Sequence, residues 1–354
     1  MSFIQRAFQT MHPAAQVVFL TCLVLTLMAV AAFAGMLWAA EGDVVAMQSL
    51  ATSGMDALDR SDVLAMNNLN QLLAFFGASW AFAAMVGRGH LGRFFTRAPS
   101  WGMVGLAAAL AVGMSPVLDL TYRLNEWALV PGSALHTWAG ALEDQAMAMT
   151  QSILDLDQGP GLVAVLVSVA MLPALCEEWL FRGTLQPILA RGTGNLHVAI
   201  WVSAALFSAI HMQFFGFVPR LLLGALFGYL VAYSGSIWPA VVGHFVNNAG
   251  VVGTDGYTKW DLDDMTQEEM LYVFKVNTCG PVLVVKYLVR EGLLGGDSDS
   301  LVGNVTSKVG SVDDNGSGRG YAYRASKSAL NNCNKSMSID LAEQNVHFAL
   351  LHPG

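Results

Sequence analysis

Two adjacent carboxylates, Glu177 and Glu178, interrupt the apolar run VAVLVSVAMLPALCEEWLF. Histidines interrupt two later runs, His211 in WVSAALFSAIHMQFF and His244 in IWPAVVGHFVNNAG. An ionisable side chain inside a lipid-length apolar segment is costly, so each is a candidate for function. One buried histidine alone is accounted for by a polar contact between helices. Paired carboxylates and two histidines on three successive apolar segments call for chemistry instead. A carboxylate with two histidines can activate water by general-base catalysis, with or without a metal. Asn248 lies four residues after His244, on the same helical face, where its amide could stabilise an oxyanion.

These groups must be positioned by antiparallel apolar helices. The polar turn Gly192 to Asn195 joins the segments carrying Glu178 and His211. Each lies about sixteen residues from the turn, so a hairpin rising ~1.5 Å per residue brings them to similar depth. Glu177 and Glu178 project about 100° apart, so only one can face a given point. Arg182 follows Glu178 by one turn, where pairing would hold that carboxylate ionised.

The same residues carry a family resemblance. Glu177-Glu178-Trp-Leu-Phe-Arg182 matches the EExxxR motif of the CPBP (CAAX protease and bacteriocin-processing) family of intramembrane endopeptidases. Phe207-Ser-Ala-Ile-His211 matches its FxxxH motif, and His244-Phe-Val-Asn-Asn248 its HxxxN motif. Residues 1–250 therefore resemble a CPBP protease, with the motifs concentrated in 170–250. The resemblance implies peptide-bond hydrolysis within the bilayer by a glutamate-activated water, with the histidines assisting and Asn248 serving the oxyanion. If a metal takes part, a divalent ion such as zinc would be held by Glu177, His211 and His244. The implied substrates are membrane-embedded or lipidated peptides, in a bacterial-type cytoplasmic membrane. A non-catalytic membrane scaffold or immunity-type protein is the alternative that keeps the same residues for structure.

Composition agrees with a membrane chain: 54% of the 354 residues are hydrophobic and 12% charged. The net charge of −8 and the absence of a basic stripe speak against a nucleic-acid partner. The four widely spaced cysteines form no CxxC pair, and so suggest neither a disulfide framework nor a zinc site. Ala14 to Ala40 forms a first, uncleaved span, and six further apolar stretches (69–86, 101–118, 161–190, 196–212, 217–233 and 237–250) bring the expected crossings to seven. Arg88, Arg93, Arg97, Arg182 and Arg191 fall on one side, placing the amino terminus in the cytoplasm.

All six lysines lie after residue 250, and there the long apolar runs stop. Residues 251–354 read as an α/β piece, with helices over 265–290 and 321–343 and strands over 301–305 and 345–350. A second resemblance appears here, to the short-chain dehydrogenases and particularly their C-factor-like members. Asn247-Asn-Ala-Gly250 matches NNAG, Lys275-Val-Asn277 the tetrad asparagine, Thr306-Ser307 the serine region, Tyr323-Arg-Ala-Ser-Lys327 YxxxK, and His352-Pro-Gly354 the segment after the next strand. The resemblance implies proton relay by Tyr323, its pKa lowered by Lys327, and substrate orientation by Ser307. A dinucleotide-binding fold also needs a first strand and a glycine-rich turn, and residues 1–246 are apolar spans instead. The sequence also stops at Gly354, before the usual substrate-binding loop. Asn277, Ser307, Tyr323 and Lys327 are thus expected to be vestigial, NAD(P) binding is not expected, and dehydrogenase activity is the third reading. The expected architecture is an α-helical multi-pass membrane bundle followed by an incomplete Rossmann-like α/β fragment, joined as a chimera near Asn247 to Gly250.

Overall fold

The structure, a computed structural model, describes residues 3–53, 58–86, 97–130, 132–154, 162–247, 262–296, 299–316 and 318–352. The chain divides into two units, Met1–Asn248 and Ala249–Gly354.

The first unit is helical. After α1 (Phe3–Thr10), α2 (Pro13–Ala39) starts with proline in its first turn, where no N–H is needed, and the His12 side chain accepts from the Ala14 amide. At ~1.5 Å per residue its 27 residues outreach a hydrocarbon core of about 30 Å. It exposes Val18, Leu25, Val30, Phe33 and Trp38, apolar side chains suited to lipid. There follow α3 (Val44–Ser53), α4 (Arg60–Val86), α5 (Trp101–Gly113), α6 (Ser115–Ala128), α7 (Ala134–Leu154), α8 (residues 162–193), α9 (Leu196–Ala209), α10 (Phe217–Ser234) and α11 (Trp238–Asn247). Gly194, with φ 65°, ends α8, and the Asn195 side chain accepts from the His197 and Val198 amides to open α9. The polar turn thus forms the expected hairpin.

Among the described residues three helices are long and apolar enough to cross a membrane: Pro13–Ala39, Arg60–Val86 and Phe217–Ser234. Four of the seven expected crossings are not among them. The run at 196–212 folds as a helix of 14 residues, and the run at 237–250 is helical over its described part, Trp238–Asn247. At ~1.5 Å per residue the 14 residues of α9 fall short of the hydrocarbon core. The run at 101–118 breaks at Met114, where α6 begins with a proline in its first turn. Between this run and the one at 161–190 lie the rest of α6 and all of α7.

Helix α8 alternates between α and π turns, with π segments at Leu166–Met171 and Trp179–Leu185. Pro173 and Pro187 follow directly. A proline leaves the carbonyl four residues back without its usual donor, and the next amide can serve it instead, which is the π spacing. Two apolar clusters flank α8. Leu20, Phe75, Phe82, Leu180, Phe181 and Phe207 gather on one side, and Ala174, Leu223, Phe227, Val231 and Ala240 on the other.

The second unit contains α12 (residues 267–290), β1 (Ser300–Val305), α13 (Tyr321–Asp340) and β2 (Val346–Leu351). The strands pair in parallel, Ser300 with Val346 through Val305 with Leu351, and α13 crosses between them. All four elements fall close to their expected positions. Two side-chain bonds fix α13 over β1: Asn304 Nδ2 donates to Asn334 Oδ1 at 2.7 Å, and Thr306 Oγ1 to Asn331 Oδ1 at 2.6 Å. Gly310 lets the chain pass beside α13, because a Cβ there would lie 2.9 Å from Lys327 backbone.

Candidate functional site

The buried polar centre of the first unit is built on α8 and closed by α4, α10 and α11. Glu178 is fully buried, and its Oε1 accepts from Arg182 Nη1 and His244 Nδ1, both at 2.9 Å. The expected pairing one turn along the helix is present. Arg182 is buried as well; its Nη2 donates to the Gly224 carbonyl at 2.9 Å, and its guanidinium lies 4.6 Å from the centre of the Phe207 ring. One turn on, Gln186 Nε2 donates to the Gly228 carbonyl at 3.2 Å. Gly224 and Gly228 permit that approach: a Cβ on Gly224 would lie 3.0 Å from Ala204, and one on Gly228 2.9 Å from Gln186 and Ile200. This GxxxG pair on α10 is a close-packing signal that the sequence carries openly.

Glu177 points the other way. Its Oε1 accepts from Gln71 Nε2 on α4 at 2.9 Å, while its Oε2 lies 3.8 Å from His244 Nε2, beyond hydrogen-bond length. Oε2 has no hydrogen-bond partner among the described residues. An ionised carboxylate only accepts, so the proton on His244 Nδ1 is the one given to Glu178. The imidazole stacks on Phe227 at 5.4 Å and meets the Phe207 edge at 5.8 Å, which fixes its plane.

His211 is placed differently from expectation. Helix α9 ends at Ala209, so His211 sits in the turn beyond it, half-buried, with Nδ1 against the Phe207 carbonyl at 2.8 Å. The structure brings Glu177, Glu178, Arg182 and His244 together in direct contact; Asn248 lies outside the described residues. Among the described residues no three His, Cys, Asp or Glu side chains stand close enough to hold a metal ion. Glu177, His211 and His244 thus do not assemble as a ligand set among the described residues.

In the second unit, Lys327 Nζ donates to the Val305 carbonyl at 3.1 Å and lies 5.6 Å from the Tyr323 ring. Burial pushes the lysine down to about 8. Burial also pushes the Tyr323 phenol above its ordinary value, against a hydrogen bond from Ser307 that lowers it. The expected lowering of the phenol's pKa is therefore corrected, because desolvation outweighs the polar contacts. Asn277 Nδ2 donates to Ser326 Oγ at 3.3 Å.

Comparison with known proteins matches the segments that carry these two sites to two families. Residues 159–250 match the family model of the type II CAAX prenyl endopeptidase Rce1-like proteins, and residues 236–354 that of short chain dehydrogenases. The second of these segments belongs to the short-chain dehydrogenases, and the first is similar to the Rce1-like proteins, so the chain joins two family segments that overlap at residues 236–250. It is 37% identical over 127 residues to the C-signal of Myxococcus xanthus, covering 35% of this chain and 70% of that protein. It is 38% identical over 109 residues to 1-hydroxy-2-glutathionyl-2-methyl-3-butene dehydrogenase of Rhodococcus sp. (strain AD45), covering 30% of this chain and 43% of that protein. An uncharacterized protein of Bacillus subtilis, YpbD, is 25% identical over 88 residues, covering 24% of this chain and 42% of its own length. No solved structure matches significantly.

Sequence reading missed Gln71 and Gln186. Gln71 closes the polar stretch Asn67-Asn-Leu-Asn-Gln71, so it reads as a helix edge rather than a group inside the bundle.

Proposed function

We propose that the first unit is an intramembrane endopeptidase in which Glu177 activates water. The observation that carries this reading is the division of labour between the paired carboxylates. Glu178 is committed through Oε1 to Arg182 and His244, its Oε2 being buried with no hydrogen-bond partner among the described residues. Glu177 keeps Oε2 open beside His244 Nε2. Two acceptors 3.8 Å apart suit the two hydrogens of one water molecule. Held there, the water directs a lone pair at a peptide carbonyl. Glu177 takes its proton as hydroxide adds to the carbonyl carbon, and returns that proton to the amine as the C–N bond breaks. Asn248, four residues after His244 in the sequence, is the residue we assign to the resulting oxyanion. The substrate is a membrane-embedded or lipidated peptide, in keeping with a site enclosed by apolar helices.

The test is cleavage of a panel of tagged transmembrane and prenylated peptides in liposomes, by the wild-type chain and by Glu177→Gln. Cleavage by the wild type and a loss of about a thousandfold or more in the variant are expected, the scale of removing a general base. Undiminished cleavage by Glu177→Gln would falsify the mechanism. A folded wild type that cleaves nothing favours the scaffold alternative.

A further inference from the structure

The π segment of α4, Gln71–Gly77, has no proline after it. The other three π segments among the described residues each precede one: Pro173, Pro187 and, in α12, Pro281. A π turn inserts one residue into the helix and rotates what lies on either side of it, and such turns recur where a side chain must be re-aimed. Gln71 opens this unexplained segment, is buried, and reaches across to α8 to meet the carboxylate assigned to the reaction.

We propose that Gln71 is a positioning residue: its amide holds Oε1 of Glu177 and so fixes Oε2 toward His244 Nε2. The assignment rests on the endopeptidase reading for its consequence, but its geometry stands independently. Only the nitrogen of the amide can face a carboxylate oxygen, which settles the orientation of Gln71. Its own Oε1 is then left buried with no hydrogen-bond partner among the described residues. A protein accepts such a cost where the other half of the amide has a task. One turn earlier on α4, Asn67 Nδ2 donates to the Ser168 carbonyl of α8 at 2.8 Å. That bond sets the register of the two helices without touching Glu177. Docking and aiming therefore fall to different residues, and each can be removed alone.

A carboxylate with only backbone torsions and apolar neighbours to restrain it can turn about its Cγ–Cδ bond. Gln71→Met keeps length and volume but removes the donor. In that variant the carboxylate takes other rotations about this bond, and the water loses its fixed acceptor. Gln71→Glu also removes the donor and sets a like charge against Glu177. The test measures kcat and KM for a cleaved peptide in liposomes, and the unfolding equilibrium in mixed micelles. A double-mutant cycle on unfolding pairs Gln71→Met with Glu177→Met. Gln71→Met should lower kcat about ten- to a hundredfold with KM unchanged, the worth of one hydrogen bond to a charged group. Gln71→Glu should lower it further. Asn67→Leu should weaken folding and leave kcat per folded molecule unchanged. The cycle should show a coupling of about tenfold in the unfolding constant.

Wild-type kcat in Gln71→Met, or a loss that only follows the folded fraction as in Asn67→Leu, overturns the positioning role while the endopeptidase reading stands. If the wild type cleaves nothing, that reading fails and the cycle alone decides. Coupling then supports the hold of Gln71 on Glu177, and additive effects overturn it.

Discussion

Arg182 is the residue on which the charges of the centre depend. It is almost wholly enclosed and answers Glu178 directly, so removing it would strand a carboxylate in an apolar interior, at a cost of about 3–5 kcal/mol. The rings of Phe181, Phe207 and Phe227 around its guanidinium offset part of its own desolvation. In the second unit Lys327 is the comparable group, and its charge is opposed rather than answered. Its folded pKa of about 8 lies below the ordinary lysine value, so between them the unfolded chain binds more protons than the folded one. Stability should then rise as pH increases from about 8 to about 10, by ~3 kcal/mol in all. Above that, the raised phenol of Tyr323 works against it, since ionisation then favours the unfolded chain. Urea titrations of the full chain, followed by the circular dichroism that urea removes, should show this rise in wild type and not in Lys327→Met. Residue types were the most legible feature of the sequence. Glu177, Glu178, Arg182 and His244 stand out as charges in apolar runs, and the structure brings them together. Gln71 did not stand out, because a polar residue beside other polar residues gives no contrast. His211 was placed too deep, because the pattern of apolar residues continues past the point where α9 ends.

Helices here owe their contacts to small residues and to proline. On α10, Gly224 and Gly228 open a seat for Arg182 and Gln186. A valine at 228 would push into Gln186 and Ile200, which are packed on two different helices and cannot both give way. Gly228→Val is expected to cost about 1–3 kcal/mol and to lower cleavage, whereas Gly105→Ala on α5, with open space around it, should do neither. Mixed-micelle unfolding midpoints and the peptide assay check both. The elements of the second unit were readable because period-two and period-3.6 patterns alternate there between glycine-rich turns. Those of the first unit were harder to bound. An apolar run fixes composition but not length, and α5 and α9 are each shorter than the run that announced them.

At the scale of the molecule, the two family matches share residues 236–250, so α11 is counted in both. The helix that delivers His244 to Glu178 also begins the stretch that resembles a dehydrogenase. The composition break near residue 250 disclosed the join, because lysine usage and apolar run length both change there. The chain covers 70% of the C-signal but 43% and 31% of the dehydrogenases it also resembles. The described part of the second unit holds two parallel strands, and the helices of the first unit occupy the place in the chain where a nucleotide-binding strand and glycine turn would stand. The purified chain is accordingly expected not to bind NAD(P)H. Equilibrium dialysis with the reduced cofactor checks this, and saturable binding would return the dehydrogenase reading to contention.

The paired bonds from α8 to α10 behave like a vernier. Arg182 and Gln186 stand one turn apart, and so do the two glycine carbonyls they grip. A slide of one or two residues would break both bonds together and replace glycine with a bulkier neighbour at the contact. Only a jump of a full turn, about 5.4 Å, would bring a donor opposite one of the carbonyls again. Helix α10 can therefore tilt about this grip or leap along it, but it cannot creep. Any opening that admits a peptide to Glu177 must be a swing of the helix ends, with the glycines as the pivot.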